Sequence, residues 1–177
     1  MFLHRNGERG GLLSLYFCAG SISADDTSRI ILTLQRRGIS MIEVGIPFSD
    51  PLADGPVIQT ASTRALRNGM SLRLLFSQLK EIKSQVSIPL ILMGYLNVVM
   101  HYGFEAFFCS CRESGVSGVI IPDLPFDEYL KSIKPLARKY DVKVVMMITP
   151  ETSEERISQI DNETDGFIYM VSSASIT

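Results

Sequence analysis

The sequence predicts an α/β chain of the (β/α)8 TIM-barrel kind, incomplete, with about six βα units in a single domain over residues 1–177. Three observations carry that expectation. Short apolar, β-prone runs alternate with longer helical periods, the pattern of a parallel sheet built from βα units. Each run is apolar along most of its length, as a strand covered on both faces must be. Polar or proline-rich stretches follow nearly every run at its C-terminal end, where a barrel keeps its site. The first run leads into Cys18-Ala19-Gly20-Ser21-Ile22, which does not fit the G-x-G-x-x-G turn of a dinucleotide-binding open sheet.

In chain order, the expected strands are 12–18, 41–45, 89–93, 118–121, 143–148 and 166–171. The first helix spans 24–37, with Ser23 as its N-cap candidate and Gly38 ending it. A helix over 71–85 carries Leu72, Leu75, Leu79 and Ile82 at spacings of one helical face. Further helices are expected at 103–114, 127–140 and 153–160. The last opens with Glu154 and Glu155, acidic residues that suit the positive end of a helix dipole.

Composition narrows the function. At 177 residues and 46% hydrophobic, the chain can bury a sizeable core. A net charge of −2, with no lysine or arginine stripe, removes the electrostatic footprint of a nucleic-acid or anionic-membrane binder, so small molecules and other proteins are the expected partners. Cys18, Cys109 and Cys111 show no paired spacing and are expected as buried or half-buried thiols of a reducing compartment. The first ten residues are polar, and no stretch is long enough to span a bilayer, so the expected location is cytoplasmic. His4 and His101 are isolated and receive no role, and no metal site is expected.

The most informative stretch runs from Ile42 to Pro56: Ile-Glu-Val-Gly-Ile-Pro-Phe-Ser-Asp-Pro-Leu-Ala-Asp-Gly-Pro. Glu43 lies within an apolar strand, where an ionised carboxylate is costly unless paired or hydrogen-bonded. A structural carboxylate capping nearby amides and a functional acid are both compatible with that position alone. The loop that follows, with Pro47, Pro51 and Pro56 framing Asp50 and Asp54, is shaped enough to hold a second acid over the first.

This string resembles the signature of the tryptophan synthase alpha subunit family. The resemblance extends over nearly the whole chain: Tyr16 and Gly20 at the end of the first strand, Leu92, Met93, Tyr95 and Asn97 around the third, Gly115-Val116 and Pro122-Asp123-Leu124-Pro125 around the fourth, and Tyr169 on the sixth. It implies retro-aldol cleavage of indole-3-glycerol phosphate to indole and glyceraldehyde 3-phosphate. Glu43 would be the general acid and base, and Asp54 would stay ionised on a more solvated loop to stabilise charge on the indole nitrogen. Tyr16, Leu92, Tyr95 and Tyr169 would wall the indole, and Thr177 would bond to the loop aspartate. The family implies no metal or organic cofactor in this chain. It also implies a pyridoxal-phosphate-containing beta subunit as partner in an α2β2 complex, with the Pro47 to Pro56 loop at the contact.

The family pattern is departed from in places. Tyr16 stands where phenylalanine is common, Ser21-Ile22 replaces Asp-Pro, and the arginine and glycine usual after the sixth strand are absent from Ser172–Thr177. A complete barrel takes roughly 250 residues. The chain is therefore expected to correspond to the N-terminal two-thirds of the family's barrel, ending after strand 6, with the phosphate-binding loops outside it and two open sheet edges that favour aggregation unless covered. These features keep a second reading open, a weak or inactive alpha-like chain that activates the beta subunit. Another phosphate-binding barrel enzyme would be expected to place a lysine at a strand end, and Lys143 begins its strand instead.

Overall fold

A computed structural model describes residues 11–51 and 54–172. Six parallel strands form one sheet in the order β1-β2-β3-β4-β5-β6: β1 (Ser14–Cys18), β2 (Met41–Gly45), β3 (Leu90–Met93), β4 (Gly118–Ile120), β5 (Lys143–Ile148) and β6 (Ile168–Met170). The order has no switch point. Right-handed crossovers that always step in one direction put every helix on one face, so the other face becomes the inside of a half-barrel. This is the expected barrel architecture, and the doubly wound alternative is excluded.

The outer face is the main core. Ile42, Val44, Leu90, Leu92, Val119 and Val144 of the strands meet Ile31, Leu75, Leu79, Phe107, Phe108 and Ile133 of the helical layer. Helix α1 (Thr27–Arg36) stops at Gly38, whose φ of 85° is the left-handed turn expected there. Its cap is Asp26 and not Ser23, since the chain makes a turn at 24–25 before the helix starts.

Helix α2 (Pro56–Arg67) has no counterpart among the expected helices; the side chains it buries, Ser62 and Ala65, are small. Its signal is Pro56 at the first turn behind Gly55. Helix α3 (Leu72–Ile82) starts where expected, with the Ser71 hydroxyl accepting the Leu74 N–H at 3.2 Å. It buries Leu72, Leu75, Phe76, Leu79 and Ile82, each such side chain adding roughly 1.5–3 kcal/mol of transfer free energy.

A second unexpected helix, α4 (Leu96–Tyr102), buries Val99 alone, and adjacent Val98 and Val99 read as strand formers. Then follow α5 (Phe104–Ser114), the helical turn α6 (Phe126–Glu128), α7 (Lys134–Tyr140) and α8 (Glu154–Glu163). The expected single helix over 127–140 is interrupted by a π-helical turn at Tyr129–Ile133. Pro135 explains it, since it has no N–H for the preceding turn. Helix α8 is capped by Ser153, whose hydroxyl accepts the Arg156 N–H at 3.3 Å. Among the described residues no helix is long and apolar enough to cross a membrane.

Candidate active site

The inner face of the sheet is a smaller cluster: Met41, Ile91, Ile120 and Val145, with Met93, Met147, Phe167 and Tyr169 packed against it. Strand register places Tyr16 beside Glu43, and Glu43 beside Ile91. In-register neighbours in parallel strands share a face, so Tyr16 and Glu43 both belong to the lumen. Glu43 is 5% exposed, a carboxyl set in a wall of carbon. The Ser14 hydroxyl donates a hydrogen bond of 2.5 Å to its Oε1.

The strand ends at Gly45, where backbone leaves room for the Tyr16 ring: a Cβ there would lie 2.2 Å from the Tyr16 hydroxyl oxygen. No other residue fits without moving that ring.

The loop after β2 is held by helix α2. The Phe48 N–H donates to the Ser62 hydroxyl at 2.7 Å, and the same hydroxyl donates to the Phe48 carbonyl at 2.7 Å. Gln59 donates to the Asp54 carbonyl at 2.8 Å, and the Asp54 N–H donates to the Pro51 carbonyl at 3.1 Å. The Asp54 carboxylate turns toward the barrel mouth, where the Tyr95 hydroxyl donates to Oδ2 at 3.1 Å.

Tyr95 is itself well seated. It precedes α4, whose first N–H, from Leu96, donates to Asp123 Oδ1 at 2.8 Å, and its ring packs on Phe48 with centroids 5.3 Å apart. Asp123, part of the Pro-Asp-Leu-Pro string after β4, thus fixes the helix that carries the Asp54 contact.

Electrostatics report the same convergence. Burial raises the Asp54 carboxyl above its ordinary value of 3.8, opposed by the Tyr95 hydrogen bond. The loop acid is therefore less solvated than its loop position suggests. The Tyr16 phenol is raised by burial first and then by the nearby Cys18, Asp54, Tyr95 and Glu43. Burial also raises Tyr169, with Glu43 adding to it. Cys18 is pushed up to about 11 by burial and then Asp54, with Arg64 opposing.

Glu43, Asp54, Tyr16, Tyr95 and Tyr169 are thus brought together. Leu92 is not. It lies fully buried in the outer core, because its neighbours Ile91 and Met93 take the lumen side and side chains alternate. Met93 holds the lumen position that the sequence reading assigned to Leu92. Thr177 lies outside the described residues. Ser14 and Met93 went unassigned as site residues, although the period-2 rule applied from Tyr16 and Glu43 marks Ser14 as an inward residue. Among the described residues no group of three or more His, Cys, Asp or Glu side chains could hold a metal ion. All three cysteines are free, Cys18 and Cys111 buried and Cys109 half-buried.

The family model for the tryptophan synthase alpha chain matches residues 2–177. A tryptophan synthase alpha chain of Phocaeicola vulgatus is 62% identical over 94% of this chain and 64% of the relative. That of Bacteroides fragilis is 63% identical over 94% of this chain and 63% of the relative. The chain thus spans a little under two thirds of the length of these curated relatives. Among solved structures, a tryptophan synthase complex from Pyrococcus furiosus superposes with a TM-score of 0.84 at 39% identity, covering 90% of this chain and 66% of that one. Tryptophan synthase subunit alpha from Legionella pneumophila superposes with a TM-score of 0.88 at 34% identity, covering 96% and 64%.

Proposed function

From the premise that the chain belongs to the tryptophan synthase alpha chain family, we propose that its barrel mouth cleaves indole-3-glycerol phosphate into indole and glyceraldehyde 3-phosphate. The observation that supports this reading is the convergence of a buried strand carboxyl, Glu43, and a loop carboxylate, Asp54, at one end of the lumen, with three tyrosines around them.

The chemistry needs one proton delivered to indole C3 and one removed from the glycerol hydroxyl. As the C3 to glycerol carbon bond breaks, its electron pair returns to the ring, neutralising the positive nitrogen, and the hydroxyl carbon becomes an aldehyde. Glu43, screened from bulk water, exchanges both protons with the substrate and ends as it began. Asp54 faces the ring N–H and offsets the charge that develops there. Its raised pKa makes it a stronger hydrogen-bond acceptor, and Tyr95 keeps it aimed. Tyr16, Tyr95 and Tyr169, with Ile91 and Met93 beneath, would flank the ring. No metal or organic cofactor is assigned to this chain in the proposal.

The proposed partner is a tryptophan synthase beta subunit, which would hold pyridoxal phosphate, in an α2β2 assembly. Beside the Pro47 to Pro56 loop runs an apolar groove of about 350 Å³, lined by Pro47, Phe48, Leu66, Met70, Leu72 and Val98. Exposed Val57 lies on the adjoining helix. That surface supports a protein contact at the loop. A cytoplasmic location belongs to the same proposal, in keeping with three free thiols.

The test is indole release from indole-3-glycerol phosphate by the full chain, alone and with a beta chain, beside Glu43→Gln. The expected result is turnover that falls about 10²- to 10⁴-fold in the variant. No turnover with or without the beta chain would overturn the proposal. Faster conversion of added indole by the beta chain, without cleavage, would replace it by an activator role.

A further inference from the structure

We propose that Ser14 is a positioning residue that fixes the Glu43 carboxyl for proton exchange, an inference that rests on the function proposed above. Ser14 pairs with Met41 and Tyr16 with Glu43, so Ser14 stands one inward position below the Tyr16–Glu43 pair, on the N-terminal side of the same wall. From there its hydroxyl donates to Glu43 Oε1 at 2.5 Å.

A buried carboxyl of this kind is ordinarily held by a cation. Among the described residues no lysine or arginine pairs with Glu43: the ion pairs join other residues, at the periphery of the helical layer and at β5. The groups that face Glu43 are the phenols of Tyr16 on β1 and Tyr169 on β6, while its β3 neighbour Ile91 offers only carbon. Ser14 is therefore the donor that sets the carboxyl plane, and it does so through one oxygen, leaving Oε2 for the substrate. A glutamate without that contact swings about its last torsion, and displacement of about an ångström at a reacting group costs on the order of a hundredfold in rate.

The test compares Ser14→Ala, which removes the donor, with Ser14→Thr, which keeps it. In the full chain labelled with ¹³C at glutamate carboxyls, the Glu43 resonance is identified by its loss in Glu43→Gln. The expected result is that Ser14→Ala shifts and broadens that resonance, as a carboxyl freed to turn does, and that Ser14→Thr restores it. In the cleavage assay kcat falls about tenfold in Ser14→Ala with KM within about twofold, and Ser14→Thr recovers it. If Ser14→Ala does not fold, Ser14→Cys, a close isostere with a weak donor, provides the comparison. A Glu43 resonance and a kcat that are the same in the parent and the donor-free variant overturn the Ser14 role alone. A resonance that changes in a chain whose turnover is indifferent to Glu43→Gln overturns the functional reading, and the role with it.

Discussion

The outer and inner faces of the sheet are made by alternate residues of the same strands, yet they do different work. The outer face is carbon against carbon, from Ile42, Val44 and Leu92 to the helices, with side chains such as Leu75, Leu79 and Ile31 fully buried. The inner face has fewer buried residues and accepts a carboxyl, a serine hydroxyl and phenols among them. Burying Glu43 there costs stability that the outer face supplies, so one side of a strand holds the fold and the other carries the groups of the proposed site. A single strand, β3, shows the division at its sharpest, because Leu92 and Met93 are neighbours in sequence and belong to opposite faces.

That pair gives the largest expected effect. Leu92→Ala should lower unfolding free energy by about 2–5 kcal/mol in urea titration, since a fully buried side chain leaves a cavity in a packed layer. Met93→Ala, only partly buried on the lumen side, should cost clearly less stability and instead weaken indole binding. Equal stability losses at the two positions would break the comparison.

A second expectation concerns charge on the inner side. The Asp54 carboxyl is raised above 3.8 in the folded chain, by burial first. A group raised on folding contributes stability that is fully present below its unfolded value and lost as pH rises through its folded value. Asp54→Asn removes that loss, so the stability of the variant relative to the parent should rise from pH about 3 toward neutrality, as read by urea midpoints at stepped pH. Removing the opposing hydrogen bond with Tyr95→Phe should increase the loss in the parent background. A relative stability that falls over this window would contradict the burial of Asp54.

The smallest effect is expected outside both faces. Lys80 and Glu113 pair at 3.1 Å on the helical surface, with side chains 64% and 57% exposed. Their coupling in a double-mutant cycle should lie within about 0.2–1 kcal/mol and fade with added salt.

The same division explains what the sequence made legible. The βα alternation and the motif around Glu43 and Asp54 are local, and both are visible in the chain. Glycine and proline marked Gly38 and the loop before α2, and the apolar stripe of α3 located that helix. Helices α2 and α4 escaped for local reasons: α2 buries only the small side chains Ser62 and Ala65, and adjacent Val98 and Val99 in α4 read as strand formers. Leu92 was misplaced for a different reason. Strand parity is fixed only by register with β2, a long-range property, and a one-residue difference exchanges the faces. Ser14 lay within reach of the same rule and needed Glu43 as its reference.

The central claim, that the lumen mouth between Glu43 and Asp54 is where an indole ring sits, can be tested directly by the tyrosines. The chain has six. Tyr16, Tyr95 and Tyr169 belong to the proposed site, whereas Tyr102 packs against Phe76, Tyr129 donates to the Glu163 carbonyl and Tyr140 to Glu105. In the fluorotyrosine-labelled chain titrated with indole, the ¹⁹F resonances of Tyr16, Tyr95 and Tyr169, assigned by single Tyr→Phe variants, should move together with one saturation curve while the other three stay in place. Movement of Tyr102, Tyr129 or Tyr140 instead, or saturation that leaves the first three unmoved, would contradict the assignment of the site.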